Sequence, residues 1–292
     1  MPPLPAVVDA HVHVWEPAAI PYPWLSTQPR LNRPFGLEDL GAASEGVPLD
    51  GLVLVEGDAA REAAGDETDF LVRVAAEDSR VRGIVARADP TEAAAFGRLL
   101  DRYDRLEVIR GIRQNIQGSP AGYCLSPPFV EGVREAGRRG LTFDLCATHD
   151  QLAEVLELAQ RCAGTRLVLD HCGKPDIASR RMHPWREQIA ALAGLPHVRC
   201  KLSGLLTEAD PAGWEDEDLV PFADAVAEEF GPDRLIYGGD WPVLSLAGTY
   251  REWYLFTRRF TRDWSAEEQS SFYRDNALRF YGIAPPEDDG GR

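Results

Sequence analysis

The chain has 292 residues, of which 44% are hydrophobic and 27% are charged, enough to bury a large core as one α/β barrel or as two smaller domains. Its formal net charge of −16 repels nucleic acid and anionic membranes, and no run of basic residues offsets it. No apolar run is long enough to span a bilayer, and the opening Met-Pro-Pro-Leu-Pro lacks the basic and apolar regions of a signal peptide, so we expect a cytoplasmic protein without nucleic-acid or membrane partners.

The first predicted strand, Val7 to Trp15, alternates apolar and polar residues. Asp9, His11 and His13 therefore share one face near the end of an early strand. A His-X-His pair is compatible with ordinary core histidines that are satisfied by hydrogen bonds. An acid and two imidazoles on one face are nevertheless costly to bury without a shared partner. A divalent cation would be such a partner, so this pattern favours a metal site.

Strands and helices alternate through the rest of the chain, after a long proline-rich loop from Glu16 to Leu40. The further strands are predicted at Asp50–Glu56, Val81–Ala88, Val108–Asn115, Leu141–Ala147, Arg166–His171, His197–Ser203 and Arg234–Asp240. The helices are predicted at Ala59–Asp78, Thr91–Asp104, Pro127–Arg139, His149–Ala163, Pro184–Leu195, Glu217–Phe230, Thr249–Phe260 and Ser265–Phe280. Gly140 suits the left-handed position after a helix, which supports one of these boundaries.

Eight short apolar strands, seven of them followed by a clear amphipathic helix, predict an α/β protein with a single (β/α)₈ TIM barrel. The alternative is a doubly wound open sheet, which usually has a glycine-rich phosphate loop after its first strand, and residues 13–17 lack one. We expect the barrel to span residues 1–284 and a frayed acidic, glycine-containing tail to occupy residues 285–292. The five cysteines form no Cys-X-X-Cys pair and lie mostly in apolar segments, which predicts buried, reduced thiols.

In such a barrel the catalytic residues stand at the carboxyl ends of the strands. Polar side chains follow most of the predicted strands here, at positions where a purely structural core would not repeat them. They are His11, His13, Glu56, Arg113, Gln114, Asn115, Asp144, His149, Asp170, His171, Lys174, Lys201, Ser203 and Asp240. We therefore predict the active site at this end of the barrel.

Four strand-end segments form a specific signature when they are taken together. They are His-Val-His at 11–13, Leu-Asp-His-Cys-Gly-Lys-Pro at 169–175, Lys-Leu-Ser-Gly at 201–204 and Tyr-Gly-Gly-Asp-Trp-Pro at 237–242. With them the chain resembles the amidohydrolase superfamily, and more closely its lactonase group, from about residue 8 to the final helix. The resemblance implies that His11, His13 and His171 line a metal pocket opposite Asp240, which would also take a proton from the attacking water.

The cofactor implied by the resemblance is one divalent metal ion, zinc or alternatively manganese. Two-metal members of the superfamily would have a bridging lysine carboxylate where this chain has Arg113-Gln114-Asn115, which argues for one ion at most. Members of the lactonase group differ in whether they need a metal. The three histidines therefore have an alternative role as hydrogen-bond donors to the substrate carbonyl oxygen. Asp240 is the general base in both the metal-dependent and the metal-independent reaction. The structural alternative for Asp240 is that it caps the next loop.

Predicted substrate-binding residues stand around the same barrel mouth, and they are Arg113, Lys174, Glu56, Trp15, Trp24, Trp241 and His149. Arg113 suits a carboxylate or lactone oxygen, with an ion pair to Glu56 or Asp144 as the alternative. Lys174 either covers the pocket or lies in water. The tryptophans either form a wall for a sugar ring or pack their own loops. His149 either joins the site or simply begins a helix.

The resemblance implies a hydrolase that opens a small-molecule lactone by attack of an activated water. A sugar-acid lactone is favoured over a dicarboxylate lactone because the strand ends supply one arginine and one lysine, although Arg30 and Arg33 in the first loop could add charge. Two alternatives stay open: a metal-dependent decarboxylase of an aromatic or unsaturated acid, and a non-catalytic barrel that binds a metal or a sugar acid. The oligomeric state is also open, and a homo-oligomer is compatible with the sequence.

Overall fold

The computed structural model describes residues 6–210 and 213–285. Its strands are β1 (Val7–Val12), β2 (Leu49–Val55), β3 (Val81–Arg87), β4 (Ile109–Arg113), β5 (Thr142–Leu145), β6 (Leu167–Leu169), β7 (Val198–Leu202) and β8 (Leu235–Tyr237). All neighbours are parallel, and each strand pairs with the next one along the chain. The predicted α/β fold and (β/α)₈ barrel are therefore confirmed.

The seam between β1 and β8 closes the ring through residues that follow the regular strands. The backbone N–H of Asp240 donates to the carbonyl of His11 at 2.8 Å, and the N–H of His13 donates to the carbonyl of Trp241 at 2.7 Å. Four of the predicted site residues, His11, His13, Asp240 and Trp241, thus take part in closing the barrel.

Helices cover the outside of the barrel. They are α1 (Leu37–Ala43), α2 (Ala64–Glu77), α3 (Ala93–Tyr103), α4 (Pro127–Arg138), α5 (Leu152–Arg161), α6 (Trp185–Ala193), α7 (Leu205–Glu208), α8 (Asp216–Phe230), α9 (Tyr250–Phe260), α10 (Ala266–Ser270) and α11 (Asn276–Tyr281). The helix predicted at 265–280 contains a wider π turn, Ser271–Asp275, between α10 and α11. The predicted first strand ends at Val12, and the predicted loop at 16–40 contains a 3₁₀ turn, Pro23–Thr27, and the start of α1.

Apolar side chains fill the space between the sheet and the helices, whereas the barrel interior carries buried charges. Arg113, Asp144, Asp170 and Lys201 are all nearly or completely buried. The Lys201 ammonium lies 2.6 Å from Asp144 Oδ2 and 3.0 Å from Asp170 Oδ1. Burial of such charges is tolerable only when they are paired, and here each one has an opposite charge beside it.

The five cysteines are all free and buried, as the sequence predicts. Across the ranges that the structure describes, we find no helix with the length and apolar character needed to cross a membrane. Of the predicted frayed tail, residues 286–292 lie outside the described residues.

Candidate active site

Four predicted site residues from three parts of the chain meet at the carboxyl ends of the strands. His11 lies on β1 and His13 just after it, while His171 follows β6 and Asp240 follows β8. His11 Nε2 lies 3.1 Å from His13 Nε2, and Asp240 Oδ1 lies 3.5 Å from His13 Nε2. The same carboxylate oxygen lies 3.8 Å from the Nε2 atoms of both His11 and His171.

Hydrogen bonds on the other ring nitrogens orient the imidazoles. His13 Nδ1 lies 2.9 Å from the carbonyl oxygen of Val55, which can only accept, so Nδ1 carries the proton and Nε2 of the neutral ring has a free lone pair. His171 Nδ1 lies 2.9 Å from the Ser203 hydroxyl. Partners of this kind, on the side away from the ion, are typical of metal-ligating histidines.

His11, His13 and Asp240 fit one divalent ion, and His171 lies beside them. In a tetrahedral zinc site with bonds of about 2.0–2.2 Å, neighbouring ligand atoms are roughly 3.3–3.6 Å apart, close to the 3.1–3.8 Å found among these three residues. Burial lowers the pKa of His11 well below its usual value and that of His171 to about 4, so both rings are neutral at pH 7. Burial opposes ionisation of Asp240, but the imidazoles of His171, His13 and His11 outweigh it and lower the pKa of that carboxyl.

A second group of possible ligands, His11, Asp170 and His171, lies deeper in the barrel. Two fixed cations already face it. Lys201 Nζ is 3.2 Å from His11 Nδ1 and 3.0 Å from Asp170, and Arg113 Nη1 is 3.3 Å from His11 Nε2 and 3.5 Å from Asp170. These positive charges neutralise Asp170 and would repel a second divalent ion, which favours a single-metal site.

A cavity of about 250 Å³ opens directly above the four groups. Its lining residues are His13, Trp15, Trp24, Gly57, Asp58, Arg113, Asn115, Gln117, Cys146, His171, Lys174, Asp240 and Val243. The predicted substrate-binding residues Arg113, Lys174, Trp15 and Trp24 are therefore at the cavity wall. Arg113 also forms an ion pair with Glu56, with Nε 2.5 Å from the carboxylate; this pair was the predicted alternative to substrate binding. Lys174 forms an ion pair with Glu208.

Three other predicted substrate-binding residues are not part of this lining. Glu56 is buried beneath it, where it pairs with Arg113 and accepts a hydrogen bond from the N–H of Asp58. Trp241 packs edge-on against Phe35. His149 begins a 3₁₀ turn ahead of α5, and its Nδ1 lies 3.1 Å from the carbonyl oxygen of Lys174.

Five lining residues were not singled out from the sequence, and they are Gly57, Asp58, Gln117, Cys146 and Val243. Cys146 directly follows β5, so extending the strand-end rule by one residue would have found it. The other four lie in the segments after β2, β4 and β8, whose path depends on tertiary contacts, and no sequence pattern marks them.

Trp24 is held over the cavity by a short chain of hydrogen bonds. Its indole N–H donates to the carbonyl of Gly57 at 2.8 Å, and the N–H of Gly57 donates to Glu67 Oε1, also at 2.8 Å. Glu67 is fully buried, and burial together with the neighbouring charge of Glu56 raises its pKa to about 8.

Glu67→Gln should increase stability at pH 8 and leave it nearly unchanged at pH 4. A carboxyl group with a raised folded-state pKa contributes stability below its unfolded pKa of about 4.5 and loses that contribution as the pH rises toward 8. Glutamine stays neutral and keeps the oxygen that accepts from Gly57. Thermal unfolding of both proteins at the two pH values measures the difference, and an equal shift at both would contradict the assignment.

Asp9 connects β1, which carries the candidate ligand His11, to the segment that carries Asp240. Its Oδ1 accepts hydrogen bonds from the N–H groups of His11 at 2.9 Å and Gly239 at 2.8 Å, and its Oδ2 accepts from the Tyr250 hydroxyl at 2.7 Å. A Cβ at Gly239 would lie 2.4 Å from Asp9 Oδ2 and 2.5 Å from the Tyr250 ring. Only glycine therefore allows this close approach.

Gly239→Ala should destabilise the fold by roughly 1–3 kcal/mol, because the new methyl group must displace buried partners, and it should lower activity by moving Asp240. Gly41→Ala is a matched control, since its Cβ would meet nothing within 4 Å in helix α1. Thermal unfolding and steady-state kinetics measure both effects. Wild-type behaviour of the Gly239 variant would show that the Asp9 contacts do not constrain the site.

Comparison with known proteins agrees with this geometry. A family model described as Amidohydrolase matches residues 8–283. L-fucono-1,5-lactonase of Burkholderia multivorans is 32% identical and covers 96% of this chain and 97% of its own. The 4-sulfomuconolactone hydrolase of Rhizobium radiobacter is 29% identical, and the match covers 80% of this chain and 75% of the hydrolase.

A solved structure shares the whole fold. The crystal structure of an amidohydrolase from Burkholderia multivorans with bound zinc is 32% identical and covers 96% of this chain and 100% of its own, with a TM-score of 0.86. The predicted superfamily and the predicted kind of enzyme are confirmed by these similarities. The chain belongs to the amidohydrolase family.

Proposed function

We propose that this protein is a lactonase that hydrolyses a sugar-acid lactone. The observation that carries the proposal is that Asp240 lies within 3.8 Å of His11, His13 and His171 beneath a cavity of about 250 Å³, which is large enough for a small sugar ring. The L-fucono-1,5-lactonases of two Burkholderia species, at 32% and 33% identity over nearly the whole chain, support the same reaction.

In the proposed reaction Asp240 is the general base. Its carboxylate is ionised at neutral pH and faces the cavity, so it can accept a proton from the attacking water and pass it to the leaving alkoxide of the opened ring. Trp15 and Trp24 line the cavity, where they can pack against the ring and exclude bulk water. The products are a hydroxyl group and a carboxylic acid, so turnover releases acid.

His11, His13, His171 and Asp240 would hold one divalent ion, which we propose is zinc. When bound, such an ion polarises the lactone carbonyl and lowers the pKa of water to about 7. The alternative, in which the histidines donate hydrogen bonds to the carbonyl oxygen, is less compatible with His13. Its proton is on Nδ1, where Val55 accepts it, so Nε2 of the neutral ring is not a donor.

The charge of the cavity favours a neutral substrate over a dicarboxylate. Both cations of the lining are already paired, Arg113 with Glu56 and Lys174 with Glu208. Arg30 and Arg33, the other cations considered for the site, instead donate to backbone carbonyls outside the lining. No cation among the described lining residues is therefore left without a carboxylate partner.

An assay of acid release with a pH indicator tests the proposal. We expect L-fucono-1,5-lactone and L-rhamnono-γ-lactone to give a kcat/KM at least about tenfold higher than the anionic 4-sulfomuconolactone, because a cavity without a free cation gains little from a second anionic group. A preference for the anionic lactone would overturn the substrate class. Carbon dioxide release from an aromatic acid without any lactonase activity would overturn the reaction itself.

A further inference from the structure

A second polar cavity lies at the opposite end of the barrel from the active site. Its volume is about 220 Å³, and it is lined by Arg166, Pro196, His197, Arg199, Asp233, Asn276, Arg279 and Phe280. Arg166 and His197 directly precede β6 and β7, and the last three residues belong to α11. Since the strands are parallel, the amino ends of β6 and β7 place this cavity away from the proposed catalytic groups.

Three arginines of this lining, Arg166, Arg199 and Arg279, lack the carboxylate partner that most arginines of this acidic chain have. Among residues 6–210 and 213–285, no carboxylate oxygen lies within 4.0 Å of their guanidinium nitrogens. Arg166 and Arg279 are exposed and Arg199 is half-buried. Three unpaired cations around one cavity are unexpected in a chain with a formal net charge of −16.

Backbone carbonyls hold Arg166 and Arg199 in place, a side-chain amide holds Arg279, and all three keep free donors. Arg166 donates to the carbonyls of Phe280 and Gly140, Arg199 Nη1 donates to the carbonyl of Pro196 at 2.9 Å, and Arg279 Nη2 donates to Asn276 Oδ1 at 2.6 Å. Nε of all three guanidinium groups has no hydrogen-bond partner in the described ranges. A guanidinium group fixed in this way loses little entropy when it binds an anion.

A fourth arginine increases the positive potential without joining the lining. Arg234 donates to the carbonyl oxygens of Phe230, Ala193 and Glu229. These hydrogen bonds hold its guanidinium group at the C-terminal end of α8. Burial, followed by the charges of Arg234 and Arg279, lowers the pKa of Arg199. Like charges that are held together in this way are stabilised by an anion placed between them.

We infer that this cavity binds a small phosphate ester through Arg166, Arg199 and Arg279. A phosphate group offers oxygens in several directions, and guanidinium groups that approach from different elements can each donate to a different one. Pro196 and Phe280 supply an apolar wall for the organic part of the ester. Asp233, the acidic residue of the lining, is exposed and is not within 4.0 Å of the guanidinium nitrogens, so it opposes anion binding only weakly.

Isothermal titration of the full-length protein with phenyl phosphate, at constant ionic strength, tests this inference. We expect saturable binding at one site, weaker binding of inorganic phosphate, and at least a tenfold loss of phenyl phosphate affinity in the double variant R199Q/R279Q. Arg262→Gln, which removes an exposed arginine elsewhere, should bind like the wild type. Asp233→Asn should bind more tightly.

Two further measurements separate this cavity from the active site. The double variant should hydrolyse lactones at the wild-type rate, and Asp240→Asn should retain phenyl phosphate affinity to within about twofold. Binding that is lost in the Asp240 variant, or that is unchanged in R199Q/R279Q, would overturn the inference. Equal affinity for phenyl phosphate, inorganic phosphate and sulfate would also overturn it, because it would indicate unselective attraction of anions. None of these outcomes depends on which lactone the enzyme prefers.

Discussion

Asp240→Asn should lower kcat/KM for the preferred lactone by about a thousandfold. General bases contribute on the order of 10²–10⁴-fold, and the asparagine amide cannot accept the proton of the attacking water. The side chain is nearly fully buried and asparagine has almost the same shape, so the fold should persist. Steady-state kinetics with the indicator assay, combined with circular dichroism, measures both effects.

The Asp240 result needs controls because the same carboxylate is a proposed metal ligand. Residual activity should be measured with added zinc and across pH, where loss of a base makes the rate rise with hydroxide concentration. Asp263→Asn, at an exposed position, should leave the kinetics unchanged. Near wild-type turnover in the Asp240 variant would remove this residue from the mechanism.

His11→Ala should abolish stable metal binding and with it most of the activity. His11 belongs to both groups of candidate ligands and is fully buried, so no neighbouring side chain can replace its ring. Loss of one ligand from a four-ligand site leaves three, and the remaining imidazole and carboxylate groups lose the geometry that zinc prefers. Metal analysis of protein purified without chelator gives the direct measurement.

The matched control for the His11 variant is His183→Ala, which removes an exposed histidine paired with Glu187. Chelation of the wild type should reproduce the loss of activity, and return of zinc or manganese should reverse it. A normal metal content in the His11 variant would refute the ligand assignment. Full activity of the chelated wild type would instead favour a metal-independent reaction.

Much of the barrel could be predicted from local sequence patterns. Apolar strands at regular spacing, with helices between them, are properties of short windows, and they were sufficient for the order of all eight strands. The strand-end rule then brought His11, His171 and Asp240 together, although they are 160 and 69 residues apart along the chain. Their polar character at the ends of buried strands was visible without tertiary information.

Other features depend on contacts that no short window contains. The sequence left the partner of Arg113 open between Glu56 and Asp144, and the structure pairs it with Glu56, which follows β2 and is separated from β4 by β3. Trp241 follows Asp240 directly, yet the turn there directs its ring toward Phe35 and away from the cavity. The direction of a side chain in a loop is set by packing, which sequence spacing does not determine.

The cavity lined by Arg166, Arg199 and Arg279 is another feature that the sequence did not predict. The sequence has no basic run, and its negative net charge predicted only that nucleic acid and anionic membranes would be repelled. Arg166, Arg199 and Arg279 are far apart along the chain and become neighbours of one cavity only after the barrel and α11 are in place. Average charge therefore says little about the potential at one place on the surface.

The hydrogen bonds that join the first and last strands also bring the proposed catalytic groups together, so the proposed site forms only when the barrel closes. Because the amides of His13 and Asp240 join the two ends of the sheet, the proposed ligand set is incomplete until residue 240 has been synthesised and has docked. A nascent chain that contains only the earlier strands would present His11, His13 and His171 but not Asp240. Hydrogen exchange at these two amides should accordingly slow when a metal ion is added, since separation of the two segments would disrupt the proposed site.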